Sequence, residues 1–292
     1  MASLNPMSGN LGTRLAAHLL RRTTYGPTRA LINSFAAKTV TQAVNDLTNI
    51  SPVSSKPIDY LTNATWVDNF SVSGVNNEDF LLKTYVGAWW LNNARLDNTI
   101  LHKIMLFHHQ YWVTTHEFIS SEMYYDYLKL IEYYALGNHK KLAEKMTMNN
   151  SMLFYLNGTE NGKNNPNQNY AREFLELFTI GKGPQTGPGN YTNYTETDIQ
   201  QAARVLTGFK AHWNDNTYKD ADTNIRCGTP ATWDHDTGNK SFTAAFNNTI
   251  ITGRSTEAGM ITELQDFHQH GIQSAGNCSG NLQKVVQVFC IS

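Results

Sequence analysis

The chain has 292 residues, enough to bury one large core or two small ones. Its 23 Lys and Arg are balanced by 24 Asp and Glu for a net charge of -1, so no global basic field exists to attract nucleic acid or anionic lipid, and nucleic-acid partners are set aside. Three cysteines without CxxC spacing argue against a disulfide framework or zinc knuckle, and no apolar run of roughly 18 residues is present to make a spanning helix.

From the N-terminus, MASLNPMSGNLGTRLAAHLL lacks a basic segment followed by an unbroken apolar core and does not read as a secretory signal. Leu11, Leu15 and Leu19 at fourfold spacing predict a helix over residues 11–22, ended by the Tyr25-Gly26-Pro27 turn. Thr28 caps a second helix to residue 38, and residues 39–47 make a third. Residues 50–79, with Pro52, Pro57 and many Ser, Asn and Asp, read as loop. Helical patterns resume at 79–94, 98–113, 124–134, 139–148 and 152–156. After Gly208, residues 211–250 are rich in Asn, Asp, Thr and Gly and predict a long loop-rich insertion, with one short hairpin near 240–251. The expected fold is therefore mainly α: an irregular multi-helix domain over residues 1–270 with that insertion after residue 208.

Residues 165–208 carry the most chemistry. Asn165 and Pro166 suit a helix start, after which Tyr170, Phe174, Leu177, Phe178 and Gly181 trace an apolar side. Asn169, Arg172, Glu173 and Glu176 trace a polar side, and Arg172 stands four residues before Glu176, the spacing of a helical ion pair. A second helix opens with a capping box, Thr195 to Asp198, buries Ile199, Ala202, Ala203 and Leu206, and ends near Gly208, where a C′ glycine belongs. Arg204 stands off its buried stripe, within reach of Glu173 or Glu176.

Ten histidines include no HExxH pattern, and the rings of His108 and His109 diverge on a helix. His18, Arg21 and Arg22 give the first helix a cationic end, suited to the helix dipole or to an anionic group. His235-Asp236 in the loop-rich part is slight support for a metal, and GxSxG, P-loop and GxGxxG patterns are absent.

Six blocks carry a resemblance: HLLRRTTYGPT (18–28), KIMLFHHQYW (103–112), MLFYLNG (152–158), NPNQNYAREFLELFTIGKG (165–183), YTETDIQQAARVLTGF (194–209) and HDTGNKSF (235–242). In this order the chain resembles the bacterial family of domain of unknown function 1800. The resemblance implies a mostly helical protein, often longer than this chain and frequently exported, with no agreed activity and with an envelope protein as its expected partner. Two departures stand out. Gln168 replaces the first Glu of the family's PNENFAREL, and Tyr111 and Trp112 replace the end of its His-x-His-Phe run, which damages any metal site built on both histidines.

The last residues fit no amphipathic helix. Back-translated with free wobble bases and read one base later, Ala275–Ser292 spells QETAREICRKLYRFFVY, a charged and apolar-striped helix resembling the family's next helix. The reading predicts that residues 271–292 are an out-of-frame, non-native tail, which makes Cys278 and Cys290 accidental.

Two functions are weighed. In the first, His18, Arg21, Arg22, Asn169, Arg172 and Arg204 close a buried Arg/Glu network in an exported, envelope-associated scaffold or binding protein. In the second, Glu173 and Glu176 are catalytic, as general base or, with His109, as ligands of a divalent metal in a hydrolase or oxidoreductase.

Overall fold

The computed structural model describes residues 8–68, 77–117, 119–212 and 218–274. The tail from Ala275 lies outside the described residues, as do Cys278 and Cys290.

Three short helices come first: α1 (Gly12–Thr23), α2 (Arg29–Ala36) and α3 (Val40–Thr48). Their starts are local chemistry. Thr28 accepts a hydrogen bond from the Leu31 amide at 3.2 Å, and Thr39 and Gln42 form a reciprocal capping box. Leu11, Ala16, Leu20, Phe35, Ala43 and Leu47 make a small apolar cluster of their own.

The larger core is assembled from α4 (Asn77–Leu96), α5 (Leu101–Tyr111), α6 (Ser121–Tyr133), α7 (His139–Thr147), α8 (Asn150–Tyr155), α9 (Gln168–Glu173), α10 (Glu196–Val205) and α11 (Glu257–Ser274). Helix α6 runs through its middle, because SEMYYDYLKLIEY is apolar on several faces and such a helix must be covered all round. Its acids are buried with it and each finds a partner. Asp126 takes Arg226 Nε and Nη2 at 2.7 and 3.0 Å. Glu132 accepts the Val53 amide at 2.6 Å and Lys129 at 2.7 Å, and Glu122 accepts from the Ser121 hydroxyl at 3.2 Å. These bonds tie the 50–68 loop and the 218–227 loop to the central helix.

The mainly helical expectation stands, and the only sheets among the described residues are two-stranded: β1 (Gln185–Gly187) with β2 (Asn190–Tyr191), β3 (Phe209–Lys210) with β4 (Thr229–Pro230), and β5 (Lys240–Ser241) with β6 (Ile250–Ile251), all antiparallel. The third is the hairpin expected near 240–251. The stretch after residue 208 is not an appendage, however. Phe242, Phe246 and Ile251 are buried in the main core, and the Phe242 ring stacks on Phe267 of α11 at 5.8 Å. Asp198 of α10 holds the hairpin by accepting the Thr243 amide at 2.8 Å and hydroxyl at 2.7 Å.

Candidate functional site

The polar helix starts later than expected. Asn167, not Asn165, is the N-cap, accepting the Tyr170 amide at 3.1 Å. After Glu173 the helix widens into a π segment, Phe174–Thr179, in which the Thr179 hydroxyl bonds the Phe174 carbonyl at 2.8 Å. The extra residue in that turn rotates the downstream side chains relative to 3.6 periodicity. Leu177, expected on the apolar side, is 56% exposed, while the Glu176 side chain is turned inward to 7% exposure.

Glu176 is closed off on both oxygens. Oε1 accepts the hydroxyl of buried Tyr194, and Oε2 lies 2.9 Å from Lys182 Nζ. Arg172 is 3.8 Å from Glu176 but gives its hydrogen bonds to Glu196 of α10, at 2.8 and 2.9 Å. The expected i,i+4 pair is thus secondary to a cross-helix one. Burial and then the bond to Glu176 raise the Tyr194 phenol above its ordinary range, so it stays a donor. Glu173 is half-buried and makes no ion pair or side-chain hydrogen bond among the described residues. Asn169 is exposed.

Arg204 does not reach Glu173 or Glu176. Its Nε and Nη2 grip Asp236 at 2.7 and 3.1 Å, and its Nη1 bonds Gln201 at 2.7 Å and the Asn239 carbonyl at 3.0 Å. Burial alone would raise the Asp236 carboxyl, but Arg204 and the Gly238 amide hold it below its ordinary value. Beside this pair lies a second network that the sequence reading did not find. Glu263 of α11, fully buried, receives Lys240 Nζ, the Arg254 amide and His235 Nε2, the last at 3.3 Å. Burial lowers the Lys240 ammonium against the pull of Glu263. Burial would raise Glu263, yet the bonds from His235 and Lys240 keep its carboxyl below the usual range.

Thr207, His235 and Glu263 in series have the composition of a nucleophilic triad, but the geometry assigns them otherwise. His235 Nδ1 lies 2.8 Å from the Thr207 carbonyl, which only accepts, so Nδ1 carries a proton and is no base for the Thr207 hydroxyl. That hydroxyl donates to the Arg204 carbonyl at 2.7 Å and accepts the Asp236 amide at 2.9 Å. None of the three side chains is more than 2% exposed. Gly208 makes the junction possible. Its φ of +81° suits glycine, and a Cβ there would sit 2.8 Å from the Ala231 carbonyl oxygen. It lies two residues beyond the C-cap Leu206, one further than the sequence pattern placed it.

The remaining expected members lie apart. His18, Arg21 and Arg22 are exposed on α1, whose apolar side belongs to the small N-terminal cluster, and neither arginine pairs with Glu173 or Glu176. His109 packs edge-on to Trp90, and its Nδ1 lies 2.9 Å from the Tyr127 hydroxyl. That hydroxyl spends its own proton on the Trp112 carbonyl at 2.6 Å, so His109 is the donor in the pair. Burial lowers the His109 imidazole and keeps it neutral. Among the described residues no three His, Cys, Asp or Glu side chains are grouped to hold a metal ion, so the set of His109, Glu173 and Glu176 is not assembled. Around Glu176, Lys182 and Tyr194 take the places expected of a metal, His109 or the α1 arginines, while Glu196 and Asp236 take Arg172 and Arg204 in place of Glu173 and Glu176.

Residues 18–271 match the family described as protein of unknown function (DUF1800). The chain belongs to this family. All six blocks of the resemblance fall inside the matched residues, and in DUF1800 terms the NPNQNYAREF, YTETDIQQAARVLTGF and HDTGNKSF blocks are the three that meet in the two networks described above. Comparison with curated proteins and with solved structures returns no match. Among the described residues no helix is long and apolar enough to cross a membrane.

Proposed function

We propose that this DUF1800 chain is a helical binding scaffold of the bacterial envelope, in which the polar helix pair is an internal brace. The observation that carries this reading is the closure of Glu176: Tyr194, Lys182 and Arg172 surround it, and Arg172 is itself spent on Glu196. A carboxylate saturated in this way is poorly placed to take a proton or bind an ion, whereas it ties the π segment to the stretch before β1, through Lys182, and to the stretch before α10, through Tyr194. The envelope assignment rests on the exported habit that the family resemblance implies, and an envelope protein is the partner class that goes with it.

A second reading keeps Glu173 as a catalytic base, because alone among the acids of this helix it has no partner among the described residues. One pair of variants separates the two. Glu176→Gln is expected to destabilise the protein by about 1–3 kcal/mol, since the hydroxyl of buried Tyr194 loses its charged acceptor. Glu173→Ala is expected to stay within about 0.5 kcal/mol of the parent. Urea denaturation followed by circular dichroism measures both, and a Glu176→Gln protein as stable as the parent would remove the brace. Fractionation of the host cell, with the chain found in the cytosol, would remove the envelope assignment.

A further inference from the structure

Lys240 Nζ lies 2.5 Å from Glu263 Oε2, and neither side chain is exposed at all. The other lysine–carboxylate pairs among the described residues all keep some exposure, down to the 4% and 1% of Lys83 and Asp79. Lys83 and Asp79 are one turn apart in α4, whereas Lys240 stands on β5 and Glu263 on α11. A link between the latter two would join separate elements.

The backbone holds both partners in place. Lys240 pairs with Ile251 across the β5–β6 ladder, and its Nζ also donates to the Asp236 carbonyl. Gly253 runs so close to Thr237 that a Cβ would sit 2.0 Å from the Thr237 carbonyl oxygen, and its amide donates to Asn239 Oδ1 at 3.1 Å. The next amide, that of Arg254, donates to Glu263 Oε1. His235 Nε2 faces the same oxygen at 3.3 Å. This contact holds only with a proton in it, because Nδ1 keeps its own for the Thr207 carbonyl. Oε1 is thus polarised from two sides, and either placement of that proton draws electrons from Cδ.

One carboxyl oxygen braced by donors and the other set against an amine is the arrangement of an acyl-transfer site. The ordinary obstacle is charge, since an ammonium is no nucleophile and a carboxylate a poor electrophile. Burial works against both charges. It lowers the Lys240 ammonium, and it opposes the ionised Glu263 even though the bonds from His235 and Lys240 keep that carboxyl below its usual range. Passage of one proton across the Nζ–Oε2 contact gives the neutral amine and acid.

We infer that Lys240 and Glu263 join, slowly and after folding, in an intramolecular isopeptide bond. The ammonium passes one proton to Oε2, Nζ bonds Cδ while the developing charge rests on Oε1, and Oε2 leaves with a second proton from Nζ as water. The third ammonium proton stays on the amide nitrogen, and no oxidant or cofactor is consumed. Contact within a solvent-excluded pocket supplies the proximity, and the same exclusion denies hydrolysis its reagent. The bond closes a loop from residue 240 to residue 263 and fastens β5 to α11. The ion pair is the open form, carried by the freshly folded chain, and its energetics are those of two buried charges.

Intact-mass spectrometry of the purified whole chain, fresh and after days at neutral pH, tests the inference, with tryptic mapping of the aged sample. A species lighter by one water is expected to grow until it dominates. Trypsin should then fail at Lys240 and leave residues 227–254 joined to the peptide that begins at Ser255. The double variant Lys240→Met with Glu263→Met, which leaves no buried charge unpaired in the pair, should keep its full mass throughout. An aged parent of unchanged mass, a lost water that maps anywhere else, or the same loss in the double variant would each overturn the inference.

Discussion

Lys240 and Glu263 meet with no exposure to solvent on either side chain, and His235 and the Arg254 amide complete the acid's shell. Desolvating two charges costs several kcal/mol, which their attraction and hydrogen bonds only offset while the set is whole. Glu263→Gln should therefore cost about 3–5 kcal/mol, because an ammonium is left buried without its anion. The double change Lys240→Met with Glu263→Met should recover most of that loss. Chemical denaturation of the three proteins decides the matter: a single variant that lost less than the double would show that the pair is not what holds β5 to α11.

On the scale of elements, Asp198 has two duties. As the third residue of α10 it completes the capping box, accepting the Thr195 amide at 2.8 Å. Facing the other way, it binds Thr243 before the 3-10 turn Ala244–Phe246. Loss of the box alone costs about 1 kcal/mol. Asp198→Ala is expected to cost about 3 kcal/mol, the excess being the buried hydrogen bonds to Thr243. Thr195→Ala, which leaves Thr243 served, should cost only about 1 kcal/mol. Faster amide exchange at Phe242, which bonds the Thr249 carbonyl at 2.9 Å, should accompany the first variant but not the second. Equal exchange in both would show that the hairpin stands without α10.

Across the whole molecule, the histidines set the response to acid. His108 is buried, its ring stacked on His139 at 5.7 Å, and burial followed by the charge of His139 pushes it down to about 4. Burial pushes His268 down to about 3 and also lowers His102, His109 and His139. Below about pH 6.5 the unfolded rings take protons that the folded rings refuse, so the unfolded state binds more protons and stability falls with pH. The loss begins near pH 6.5 and continues to about 4 for His108 and lower for His268. Glu122 and Asp126 work in the opposite sense, burial raising both carboxyls and that of Asp126 to about 6, but they are two groups against five. His108 alone should account for about 2 kcal/mol between pH 7 and pH 5. Urea midpoints at the two values, for the parent and for His108→Phe, measure it. A His108→Phe protein with the parent's full acid sensitivity would refute the assignment.

The sequence by itself determined most of the helices before residue 208 and several of their beginnings, though not α11. Thr28 and Thr195 were legible as caps because a cap is set by four consecutive residues, and the apolar stripe of α10 was legible because its period is local. The hairpin at 240–251 and the family blocks were legible for the same reason. Tertiary structure decided which charge meets which. Arg204 chose Asp236, 32 residues on, over Glu173 and Glu176, and Arg172 chose Glu196 over its helical neighbour. Nothing in residue spacing encodes such a choice, because a long side chain at the edge of a helix has several acids within reach and only the packing of the backbones selects one. The π segment shows the same limit: one extra residue in a turn, stabilised by its surroundings, turned Leu177 out to water and Glu176 in.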